Sequence, residues 1–175
     1  MEVSEAFYGP LHCLEITLRN AEHDRLCAQY GRNDWWRVAP LDEHTATKVA
    51  VARQKLLRRC AGDFTADDVV AELSFGFWVS LLSRRHDRHL WVPALHRAFP
   101  HYTGSREPLR ESLQTMLLLR NRIMHHEPIH HRHLAADHAK IYTLLGYLEL
   151  RIGSWLRAFD RVPEVLARRP GGART

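Results

Sequence analysis

Lysine is scarce in this chain. Lys48, Lys55 and Lys140 are its only contributions to 25 basic residues, so arginine carries nearly all the positive charge. A guanidinium grips phosphate with two parallel hydrogen bonds, which an ammonium does not do. The formal charge of +5 and the pI near 9.4 suit a polyanionic partner. They suit an arginine-rich codon usage equally well, so charge supports RNA binding only beside a motif. Cysteine is scarce too. Cys13, Cys27 and Cys60 lack metal-ligand spacing, and an odd number without a secretory signal points to reduced thiols in a cytoplasm. Long apolar runs are missing. The longest nearly apolar stretch, Leu73 to Leu82, is far short of the roughly 20 residues of a membrane span, so no membrane partner is expected. The start, Met1-Glu2-Val3-Ser4-Glu5, is acidic and has no signal-like apolar core. No strand-like alternation and no internal repeat stand out.

What is present is helical periodicity. Leu11, Leu14, Leu18 and Ala21 form a stripe, with Pro10 at the expected helix start and Tyr30 near its end. Gly31 to Pro40 reads as a loop carrying Trp35 and Trp36. A second helix is expected from about Asp42 to Cys60, stopped by Gly62. Thr65-Ala66-Asp67-Asp68 has the form of a capping box. It opens an expected helix through Val69, Val70, Leu73, Phe77 and Leu81, where Gly76 marks a close approach of another backbone. A short helix follows Pro93. Another helix is expected from Glu107 to His126, and a last long one from His133 through Ile141, Leu148 and Trp155. Trp78 and Trp155 are read as core residues, with core also favoured for Trp35 and Trp36. The fold class is therefore all-α, a helical bundle over residues 1–162. Residues 163–175 are expected to be a short turn and a disordered tail.

One constellation looks like chemistry: Arg120-Asn121-Arg122-Ile123-Met124-His125-His126-Glu127-Pro128. Proline restricts the residue before it, so the helix should stop near His126. Asn121 and His125 are four apart and share a face. Arg120 and His125 are five apart, roughly 140° around an ideal helix. They meet on one substrate only if the helix end unwinds or a second subunit completes the site. The ordinary alternative is a solvated, helix-capping His125 with Arg120 in a structural ion pair.

This stretch resembles the Arg-x4-His signature of HEPN domains, and more narrowly the Arg-Asn-x-x-x-His-His-Glu-Pro-Ile form of Abi-like (abortive infection) proteins. Ala6 to Ala21, Tyr30-Gly31 with Trp35-Trp36, and Phe75-Gly76-Phe77-Trp78 are similar to further segments of that family. The resemblance spans roughly residues 6 to 150. It implies a HEPN-like, dimeric helical bundle and a metal-independent endoribonuclease acting as a toxin in phage defence. It implies RNA as substrate, a homodimer, and an antitoxin as a further partner. Catalysis would fall to Arg120, Asn121 and His125, and RNA binding to Arg122, His126, His130 and His131. No cofactor is expected. Cleavage of this kind needs a base for the ribose 2′-hydroxyl, a cation for the phosphorane and an acid for the leaving oxygen. One Arg and one His per chain are too few, which motivates the dimer. Family members usually carry more helical sequence before the first segment, and its lack is expected to expose Leu14 and Leu18. Some carry a tyrosine two residues after the motif histidine, as a modification target; Glu127 stands there in this chain.

Two rival readings remain at this stage. One is a non-catalytic HEPN module that binds RNA or a partner protein; the other is a helical interaction protein. The density of His126, His130, His131, His133 and His138 invites zinc. No cysteine lies nearby, and His126-Glu127-Pro128-Ile129-His130 is broken by proline where a zinc helix would be needed, so no metal is expected. Arg19-Asn20-Ala21-Glu22-His23 looks like a shorter copy of the motif, and pairing of Arg19 with Glu15 or Glu22 is its expected role.

Overall fold

A computed structural model describes residues 2–168. Leu11, Leu14 and Leu18 lie on one face of α1 (Glu2–Tyr30) and are fully or almost fully buried. They can be so because α1 runs through the middle of the molecule, touching four other helices and two 3₁₀ turns. The expected exposure of Leu14 and Leu18 is thereby corrected. Pro10 does not open this helix but sits inside it, buried. A proline there removes one rung of the ladder, the bond its N–H would have donated to the carbonyl of Ala6.

The described residues form eight α-helices and no strand. After α1 come α2 (Glu43–Cys60), α3 (Ala66–Glu72), α4 (Phe75–Leu81), α5 (Arg106–Met124), α6 (Leu134–Leu148), α7 (Leu150–Arg157) and α8 (Val162–Ala167). The 3₁₀ and π turns between Arg84 and Ala98 link α4 to α5. The Asp42 side chain accepts from Thr45 N–H at 2.7 Å and caps α2, and Ala61 in the left-handed region ends it. Thr65 and Asp68 form the full reciprocal capping box at the start of α3.

Two expected helices are each broken in two. Leu73 is extended and Ser74 caps a new helix, accepting from Phe77 N–H at 3.3 Å. Glu149 is likewise extended, and its carboxylate accepts from Arg151 N–H at 3.1 Å to start α7. The second break leaves Leu156 as the buried residue of α7. Trp155 is 63% exposed, not a core residue. It lies beside Phe159 with ring centroids 5.3 Å apart. Gly76 meets the Leu117 side chain, not a backbone, and a Cβ there would be in ordinary contact at 3.5 Å. The expected division at 162/163 falls at the first turn of α8, whose Val162 and Val165 are buried and which packs on α1 and α6. The expected tail from 169 onward lies outside the described residues.

Glu22 is the anomaly of the core. It is fully buried on α1, and neither carboxylate oxygen has a hydrogen-bond partner among the described residues. Burial pushes its pKa well above the usual carboxylate range. A carboxyl whose folded pKa is raised leaves stability intact below its unfolded pKa. Stability is then lost as pH rises, because only the unfolded chain ionises freely. Glu22→Gln should therefore gain stability relative to the parent as pH rises from about 4.5 upward. Denaturant midpoints at pH 5 and pH 8 check this; an equal difference at both would contradict it.

Candidate active site at the end of α5

Helix α5 ends in a backbone motif, not at the proline. His125 N–H donates to the Asn121 carbonyl at 3.0 Å and His126 N–H to the Ile123 carbonyl at 3.1 Å. Glu127 N–H reaches back to the Arg122 carbonyl at 2.8 Å. These last two bonds, with His126 in the left-handed region at φ 54°, make a Schellman stop. Glycine usually occupies that position, because a Cβ is strained there. The carbonyls of Asn121, Arg122 and Ile123 are thus satisfied by backbone. The His125 side chain has no capping duty and no hydrogen-bond partner among the described residues, and it is exposed.

Arg120 is held differently. Its Nε donates to Glu15 Oε2 on α1 at 3.3 Å, and Glu15 Oε1 accepts the Phe75 N–H at 3.1 Å. One carboxylate therefore joins α1, α5 and the first amide of α4. The two terminal nitrogens of Arg120 make no hydrogen bond among the described residues, and its side chain is 32% exposed. Glu15 orients the fork and leaves its outer prongs open for an anion.

The other residues divide between two further surfaces. Arg122 Nη1 lies 3.2 Å from His131 Nε2, and His130 and His131 meet edge to face. His126 and His130 line a recess against the start of α1, with Val3, Ser4, Ile129 and Leu134. Ile129 is buried beneath this turn. Arg132 closes the turn with paired bonds to Asp137 at 2.7 and 2.9 Å. Asn121 is half-buried, with no side-chain hydrogen bond among the described residues. Arg120, Arg122/His131 and His126/His130 thus sit at one end of the bundle but do not converge within one pocket.

His126 and His130 have the spacing of a His-Glu-x-x-His zinc site. That motif needs a helix to bring both imidazoles to one side, and this stretch is turn and loop. Among the described residues no three His, Cys, Asp or Glu converge as metal ligands would. The shorter copy of the motif does not pair as expected. Arg19 donates to its neighbour Asn20 at 3.1 Å, Glu15 is taken by Arg120, and Glu22 has no partner. His23 accepts from Trp35 Nε1 at 3.1 Å, which fixes Trp35 as a core residue.

Sequence reasoning missed the groove in front of Arg120. Tyr8, Leu11, His12 and Glu15 on α1 face Arg120, Ile123 and Met124 on α5. Tyr8 and His12 are exposed and stacked at 28°, with ring centroids 6.2 Å apart. The spacing of Tyr8, His12 and Glu15 by four and three was the available signal. A second cluster was also missed. Asp160 accepts from His138 Nε2 at 2.5 Å, Tyr142 Oη at 2.6 Å and Val162 N–H at 3.0 Å. Burial would raise the Asp160 pKa, but these three donors together hold it below the usual range. Burial first, and then Asp160, push the Tyr142 phenol up. This cluster fastens the start of α8 to α6.

No family model, no curated protein and no solved structure matches this chain.

Proposed function

We propose that the end of α5 is a metal-independent RNA-cleaving site of the HEPN type, and that the protein is an Abi-like endoribonuclease toxin. The observation that carries this reading is the state of Arg120. A guanidinium oriented through Nε by Glu15, with its outer nitrogens open in a groove, is what a phosphate clamp requires. One turn on, an exposed and unpartnered His125 supplies an imidazole at the negative end of the helix dipole. Arg122, His126, His130 and His131 extend the cationic and imidazole-rich surface along which a strand would run. No helix among the described residues is long and apolar enough to cross a membrane. The family resemblance adds the defence role, an antitoxin and a homodimer. Leu118 and Met124, exposed on α5, offer such a dimer an apolar contact.

Single-stranded RNA should be cut in EDTA, leaving 2′,3′-cyclic phosphate and 5′-hydroxyl ends. Binding should weaken steeply as salt rises, because arginines displace counterions from phosphates. Mass analysis of the product ends checks this. Cleavage that appears only with added divalent metal would overturn it. RNA binding without cleavage would favour the non-catalytic module.

A further inference from the structure

A cleft of about 700 Å³ opens between α6 and the chain that runs from α7 into α8. His138, Tyr142, Thr143, Arg157, Asp160 and Pro163 line it. It shares no lining residue with the groove before Arg120 or with the recess at His126. We propose that this cleft binds a sugar phosphate, with Arg157 on the phosphate and the hydroxyl oxygens of α6 receiving the sugar's hydroxyls. The proposal goes beyond the ribonuclease reading and does not depend on it.

The volume lies within the roughly 300–1,000 Å³ of small-molecule sites. The hydrogen bonds already made in the walls restrict what can fill it. Asp160 has a side chain only 3% exposed, and its carboxylate accepts from His138, Tyr142 and the Val162 amide. That carboxylate is committed within the wall, so it offers no open partner to a cationic ligand. Arg157 is in the opposite state. Its guanidinium lies over the Tyr142 ring, 5.0 Å from the centroid, and it is exposed with no carboxylate partner among the described residues. Stacking holds a guanidinium by its face and leaves its N–H edge free to grip an anion. The cation of this cleft is thus oriented and unpaired, and its anion is already paired.

The lining hydroxyls have no hydrogen left to give. Tyr142 Oη–H donates to Asp160, and Thr143 Oγ1–H donates to the Ala139 carbonyl at 3.0 Å. What remains on these oxygens is lone pairs. The ligand that complements such walls is an anion carrying its own donors. A plain sugar lacks the charge, and inorganic phosphate lacks the row of hydroxyls. A phosphate monoester carries about −1.5 to −2 charges at neutral pH, a stronger pull on an exposed guanidinium than one carboxylate. A sugar phosphate supplies both halves, free or as the ribose of a nucleotide.

Titration calorimetry of the full chain with ribose 5-phosphate tests this. The parent should bind one equivalent. Ribose, inorganic phosphate and gluconate should each bind about tenfold more weakly or worse, because each lacks one of the two halves. Arg157→Ala should weaken ribose 5-phosphate by about tenfold or more and keep the parent's circular dichroism. Thr143→Val keeps the shape and removes an acceptor. It should weaken ribose 5-phosphate by about threefold and leave inorganic phosphate binding unchanged. No heat from ribose 5-phosphate would overturn the proposal, and so would an Arg157→Ala variant that binds like the parent. Equal binding of inorganic phosphate or gluconate would overturn the sugar phosphate as its ligand. Adenosine 5′-monophosphate and a short RNA strand then separate the two sources. If Arg157→Ala weakens the monophosphate alone, the ligand is free; if it weakens both, the cleft takes a unit of a strand, and either result supports the site. None of these outcomes bears on Arg120 or His125, so the ribonuclease reading stands or falls separately.

Discussion

His125→Ala is expected to lower the RNA cleavage rate by about 100-fold or more with no change in stability. The side chain is exposed and bonded to nothing among the described residues, and the helix stop depends on backbone. Arg120→Ala should lose phosphate stabilisation on a similar scale, about 2.7–4 kcal/mol by analogy with oxyanion donors. It should differ from His125→Ala in one respect. Removing Arg120 leaves the Glu15 carboxylate, 17% exposed, with only the Phe75 amide as partner. Stability should fall by about 1 kcal/mol or more, because α1, α4 and α5 lose their common tie. Single-turnover rates and denaturant midpoints on both variants check this. If His125→Ala cleaves like the parent, the site has been misplaced. If Arg120→Ala keeps full stability, Glu15 is not the tie described.

The largest stability effect is expected at Trp35. It is fully buried, packs edge-on against Trp36 at 5.5 Å and tilts against Trp78 at 6.3 Å. Trp35→Ala should lower stability by about 3–5 kcal/mol. Part of that is the cavity, and part is His23 Nδ1, which loses its indole donor at 3.1 Å. Trp35→Phe should recover much of the packing but not the hydrogen bond. Urea unfolding of the two variants separates these contributions. A loss under 1 kcal/mol for Trp35→Ala would place this indole outside the core.

The local rules were legible in the sequence. The Thr65/Asp68 capping box, the start of α2 near Asp42 and the stop after Cys60 are short-range chemistry, and each lies within two residues of its expected place. The breaks at Leu73 and Glu149 were not legible. Apolar periodicity runs on through both, and the breaks arise because Ser74 and Glu149 offer the backbone a better bond than the helix does. Trp155 was placed in the core for that reason. The Glu15–Arg120 tie spans 105 residues of sequence. Local spacing pointed instead to Arg19, a neighbour on the same helix. The groove had the same cause: Tyr8, His12 and Glu15 share a face by spacing, but nothing in the sequence says that Arg120 stands opposite.

The missing rung at Pro10 has a consequence for what holds the start of α1. Helices fray from their ends, and frayed turns open with far lower free energy than core segments. Tyr8 lies on the outer side of the gap, and His12 and Glu15 on the inner side. What holds the turns before Pro10 is therefore packing more than the helix ladder: Phe7 is fully buried, and Val3 and Ala6 pack on the core. The Glu15–Arg120 tie lies beyond the gap, so in the proposed site the clamp on a phosphate does not depend on the ladder that Pro10 interrupts.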